Sequence, residues 1–126
     1  MPDEPIPADL RDFILRHIDS VAQLEALLLL YWEKSANWTA SKLSKRLYIS
    51  DAEALVILTR MTNDALTEEA NGEFLFHPKA PEHEQMVGEL ANAYSTRLIA
   101  ITKLIHSKPA RIREFSDAFK LRKDRN

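Results

Sequence analysis

The chain has 126 residues, 45% of them hydrophobic and 29% charged, with seventeen Lys and Arg against nineteen Asp and Glu. That length supports one ordinary core, and the composition is that of a folded protein. The absence of cysteine excludes disulfides and thiolate metal sites. Two glycines against six prolines favour long helices over a many-stranded sheet.

The start, MPDEPIPADL, is acidic and has no apolar stretch, so no secretory signal is expected. The longest apolar run, Ala26 to Trp32, falls far short of the ~20 residues that a membrane span needs. A cytoplasmic protein with no membrane contact is the expectation. The net charge of −2 hides an asymmetry: residues 1–96 carry 8 Lys and Arg and 16 Asp and Glu, whereas residues 97–126 carry 9 and 3. Either the two parts attract one another, within a monomer or across a dimer, or the end is a basic arm for nucleic acid.

The first predicted helix runs from about Pro7 to Ile18, with Leu10, Phe13, Ile14 and Ile18 on one face and Asp9 at the positive end of its dipole. Ser20 and Gln23 fit a capping box for a second helix from Val21 to Lys34, apolar nearly all round and therefore expected as the buried spine. Thr39 caps a short third helix, Ala40 to Leu47, and Ser50 with Glu53 opens a fourth, Asp51 to Leu66. Asn71-Gly72 predicts a two-residue hairpin turn between strands Thr67–Ala70 and Glu73–His77. Pro81, Glu82 and Glu84 begin a long helix to His106, on which Val87, Leu90, Ala91, Tyr94, Leu98, Ile101, Leu104 and Ile105 form a continuous apolar stripe. Pro109 then starts a last short helix carrying Ile112, Phe115 and Phe119.

The order from Val21 to His77 (helix, short helix, tight turn, helix, hairpin) resembles the winged-helix, or winged helix-turn-helix, superfamily. It looks closest to small bacterial regulators of the type that includes the multiple-antibiotic-resistance regulators. The segment WTASKLSKRLYISDAEALVILTRMTNDALTEEANGEFLFHP, residues 38–78, carries the likeness. The resemblance implies a mainly α fold: a three-helix core with a β-hairpin wing, a long C-terminal helix and a short terminal one. Residues 1–80 would be the core with its N-terminal helix and 81–126 the helical extension, packed as one compact domain. Trp38-Thr39 would be a short strand, Tyr48-Ile49-Ser50 the turn, Asp51–Leu66 the recognition helix and Thr67–His77 the wing. Family members often dimerise through outer helices, which makes Val87, Leu90, Tyr94, Leu98, Ile101 and Ile105 a candidate homodimer seam.

Carried over by position, Ala54, Leu58, Met61 and Leu66 face the core, and Ala52, Leu55, Val56, Thr59 and Arg60 face a DNA groove. Base edges are read by Arg, Lys, Asn and Gln, and only Arg60 belongs to that set. The family's glycine after this helix is replaced by Ala65. Glu68, Glu69 and Glu73 on the wing would repel phosphates. Residues 39–79 carry five basic side chains (Lys42, Lys45, Arg46, Arg60, Lys79) and six acidic ones, where a DNA-binding domain shows a basic face. The apolar outer face of the fourth helix has three readings: covered by this chain's own C-terminal part, docked on a partner protein, or laid on DNA.

No spacing among His17, His77, His83 and His106 matches a metal motif, no serine lies in a G-x-S-x-G context, and two glycines make no phosphate loop. No cofactor or metal is expected, and nothing argues for an enzyme. Trp32 and Trp38 read as core or hinge packing, a ligand pocket being the sharper alternative. Arg111, Arg113, Lys120, Arg122, Lys123 and Arg125 form the remaining candidate site, either a solvated docking helix or an arm for phosphates or an acidic partner. Two functions follow. One is a non-enzymatic regulatory module acting through protein contacts, itself included. The other is a DNA-binding transcriptional regulator using Lys42, Lys45, Arg46, Arg60 and the basic tail.

Overall fold

The computed structural model describes residues 6–107. Its first element, α1 (Ala8–His17), buries Leu10, Phe13, Ile14 and His17, the apolar spacing of its sequence. Two residues on, the Ser20 hydroxyl accepts from the Gln23 backbone N–H (3.1 Å) and opens α2 (Val21–Trp32). Gln23, itself buried, seals the junction: its side-chain oxygen accepts from Asp19 N–H (2.8 Å) and its amide donates to the His17 carbonyl (2.6 Å). A buried amide with both ends satisfied fixes the angle between two helices without leaving an orphaned group.

Helix α2 is the spine, with Leu24, Ala26, Leu27, Leu28 and Leu30 fully covered. It packs against α3 (Ala40–Leu47), α4 (Asp51–Asn63), the strand β2 (Glu73–Phe76) and α5 (Pro81–Thr96). Thr39 caps α3 through the Lys42 N–H and Ser50 caps α4 through the Glu53 N–H. The hairpin of β1 (Thr67–Ala70) and β2 pairs Thr67 with Phe76 and Ala70 with Glu73. Its turn has positive φ at both Asn71 (56°) and Gly72 (80°), the mirror-image geometry that suits strand twist. Trp38 adds a third rung outside the strands: its N–H and carbonyl exchange 2.7 Å bonds with those of Phe74.

Helix α4 stops at Asn63, three residues before the expected end. Ala65 takes a left-handed backbone (φ 62°), Leu66 N–H returns to the Met61 carbonyl (2.9 Å) and Ala65 N–H to that of Thr62 (3.0 Å). This is the helix-ending motif that usually employs glycine, built here on an alanine.

The expected long helix is also two pieces. Helix α5 ends at Thr96, Arg97 leaves helical geometry (φ −128°, ψ 33°), and a sixth helix, α6, is described from 98 to 107. The hydroxyls of Ser95 and Thr96 turn back onto the carbonyls of Asn92 and Ala93, both at 3.4 Å. Such local bonding competes with the helix ladder and bends it. The stripe along α5 and α6 is then largely internal core rather than an open seam. Val87, Leu90, Ile101 and Ile105 are at most 1% exposed within the single chain, Tyr94 is half-buried, and only Leu98 faces outward. The result is a mainly helical domain with a short antiparallel hairpin. Among the described residues, no helix is long and apolar enough to cross a membrane.

Candidate partner-binding surface

Helix α4 divides cleanly. Ala54, Ile57, Leu58 and Met61 are buried, whereas Ala52, Leu55, Val56 and Thr59 lie outside, with Leu55 49% and Val56 67% exposed. These are the positions the resemblance placed outward. The turn leading into the helix adds Tyr48, 95% exposed and held in the left-handed region (φ 58°). A non-glycine residue there costs about 1–2 kcal/mol, and Tyr48 buries nothing in return.

The basic side chains around this surface are mostly engaged within the chain. Arg60 pairs with Asp19 and, through Nε, with Asp64 (3.4 Å). Arg46 donates to Glu33 (3.0 Å) and stacks with Lys42 over the Trp38 ring, their charges 5.5 and 4.3 Å from its centre. Lys42 also reaches the Asn37 carbonyl (3.3 Å). Lys45 is exposed. Among the described residues the buried Trp38 indole N–H has no hydrogen-bond acceptor, and the two cations contact the π face of its ring instead. Under its DNA-binding alternative, sequence reading put these cations on phosphates; Asp19 and Glu33 were beyond it because they lie 41 and 13 residues away, whereas Asp64 sits one turn on from Arg60 at the cap of the same helix. Arg111, Arg113, Lys120, Arg122 and Lys123, with the expected last helix, lie outside the described residues.

A second cluster was not foreseen. His17 Nδ1 sits 3.2 Å from Asp64 Oδ2, tying the end of α1 to the cap of α4. The rings of His17 and His83 are 5.4 Å apart and both touch Phe13. Burial pushes the His17 pKa below its ordinary value; Asp64 opposes this through its hydrogen bond and charge, and His83 adds to it. A cavity of about 260 Å³ opens beside the pair, with Asp9, Asp12, Arg16 and Glu82 at its edge. Among the described residues, no three His, Asp or Glu side chains are placed to hold a metal ion.

The third feature is a groove of about 180 Å³ between α2, α3 and α5, floored by Leu28, Leu29 and Leu47 and edged by Trp32 and Tyr94. Trp32 is 59% exposed. Sequence reading favoured packing for Trp32 and kept a ligand pocket as the alternative; its position at the end of a helix that is otherwise apolar all round was the available signal. Comparison with protein-family models, with curated proteins and with solved structures finds no match to this chain.

Proposed function

We infer that residues 21–77 form a winged-helix core whose outward helix, α4, docks on protein rather than reading DNA, and that the chain is a non-enzymatic regulatory module. The element order from α2 through α4 to the hairpin supports the first part, as does the Trp38–Phe74 pairing at the place of a third short strand. The observation that carries the second is the exposed row Ala52, Leu55, Val56 and Thr59, with Tyr48 preceding it and no unengaged cation on it.

Contiguous apolar side chains left in water mark an interaction site. An interface core is apolar, depleted in charge and enriched in aromatics, with a polar rim. Asp51 and Glu53, exposed in the first turn of α4, give this surface a polar edge of that kind. DNA demands the reverse: several free Lys or Arg for phosphates and long polar side chains for base edges. The role of such a module is to hold or release a partner in transcription or signalling control.

Fluorescence anisotropy with a labelled non-specific duplex at low salt tests the reading. The expected outcome is no binding that depends on α4: Arg60→Ala and Lys45→Ala leave the titration unchanged. Tight, salt-sensitive binding lost in Arg60→Ala would overturn it in favour of a DNA-binding regulator.

A further inference from the structure

The turn between α3 and α4 spends an aromatic side chain where the backbone asks for a small one. Tyr48 is the C-cap of α3 (φ 58°, ψ 45°), and its own N–H and that of Ile49 (3.1 Å) both return to the Ser44 carbonyl. That bonding fixes the left-handed conformation, which glycine or asparagine ordinarily supplies at a helix end. Tyrosine adds strain there, and among the described residues neither its ring nor its hydroxyl has a partner. Strain that the fold does not use points to a functional position.

We propose that Tyr48 is the aromatic anchor of the α4 surface, and that the partner seated there is an amphipathic helix whose apolar ridge is flanked by Lys or Arg. The assignment rests on α4 being a protein-docking face; it adds the residue that holds the partner and the chemistry the partner carries.

The shape of the partner follows from the shape of α4. Ala52, Leu55, Val56 and Thr59 are all exposed and recur at helical spacing, so they form one ridge about two turns long. Such a ridge packs into the groove of another helix. Tyr48 precedes it by four residues, and tyrosine is among the side chains that most often dominate an interface.

Charge sets the flanks. Asp51 lies one helical turn from Leu55, and Glu53 one turn from Val56, so two carboxylates border the apolar pair. Among the described residues neither is in an ion pair, and the Ser44 hydroxyl that donates to Asp51 leaves its charge in place. At the other end Arg60 is shared by Asp19 and Asp64, so that end is net negative too. Arg46 is taken by Glu33, and Lys45, exposed on α3, is the one cation against these carboxylates. Cations beside the partner's ridge complement this surface, and acidic flanks are repelled.

The test uses the full chain, isotope-labelled, and two amphipathic peptides with leucines at the same three- and four-residue steps. One has lysine at its other positions and the second has glutamate. The lysine peptide should shift the amide resonances of residues 48–60 and leave those around the Trp32 groove in place. The glutamate peptide should bind about tenfold more weakly or worse. Tyr48→Gly should raise the folded-to-unfolded ratio in urea about fivefold, yet weaken the lysine peptide about tenfold. A variant that loses stability would make Tyr48 a structural residue, and one that binds as well as the native chain would not lack an anchor; either result overturns the proposal. Shifts confined to another surface, no binding, or equal affinity for the two peptides would overturn it as well. None of these outcomes removes the docking reading of α4 itself, which falls to salt-sensitive DNA binding lost in Arg60→Ala.

Discussion

Helices α2 and α4 are both apolar on more than one side, yet only one of them is used up by the fold. Around α2 stand α3, α4, α5 and the hairpin, and five of its apolar side chains are fully covered. Around α4 the cover is one-sided: Ala54, Ile57, Leu58 and Met61 meet the core while Leu55 and Val56 meet water. Apolar area removed from water stabilises by roughly 25 cal/mol per Å², so α2 holds the fold together. The outer side of α4 contributes much less of that kind to the isolated chain, Leu55 and Val56 being only partly covered. In the proposed reading, the apolar residues that folding leaves outside on α4 are kept for another surface.

The contrast can be broken most forcefully at α2. Leu27→Ala removes a fully buried side chain from the spine and should cost about 2–5 kcal/mol in urea unfolding. A cost near that of a surface change would mean the spine is loosely packed. At the end of α4, Ala65→Gly relieves a left-handed alanine and should stabilise by about 1 kcal/mol, read as a higher midpoint at unchanged slope. A loss instead would show that Ala65 packs rather than strains.

The pH dependence sharpens the link between α1 and α4. Because burial lowers the His17 pKa in the folded state, the unfolded chain takes up this proton first as pH falls through about 6.5. Stability therefore drops from there until the depressed folded pKa is reached, and this group adds no slope above or below that window. His17→Gln should flatten that part of a thermal-melting profile against pH, and an unchanged slope would remove His17 from the account. The smallest effect is expected outside: Leu55→Lys/Val56→Lys should shift stability by no more than ~0.5 kcal/mol per site. A loss of several times that would show the face to be covered after all.

The part of this contrast written locally in the chain was legible from the sequence. Ser20, Thr39 and Ser50 start their helices with side-chain caps, and Asn71-Gly72 makes the hairpin turn, because each acts within three residues of itself. The inner and outer sides of α4 followed from the positions carried over with the resemblance. What escaped depended on distance or on an unusual backbone. Alanine itself does not announce a left-handed helix end, although the resemblance set Ala65 where the family has glycine, and no Gly or Pro marks the break at Arg97, where only Ser95 and Thr96 hint at a bend. The bond from His17 to Asp64 and the pairing of Arg60 with Asp19 join residues more than forty positions apart. Those ion pairs alter the site most: Arg60, the one position carried over as groove-facing whose side chain is of the type that reads base edges, is held by two carboxylates of its own chain.

The outer face of α4 as a protein-docking surface is tested most directly by quantitative affinity purification from the native cell extract. The full chain and its Leu55→Lys/Val56→Lys variant serve as baits, matched for fold and stability. The account predicts at least one component recovered in near-stoichiometric amount by the chain and lost with the variant. Identical recovery of every component by both baits would contradict it.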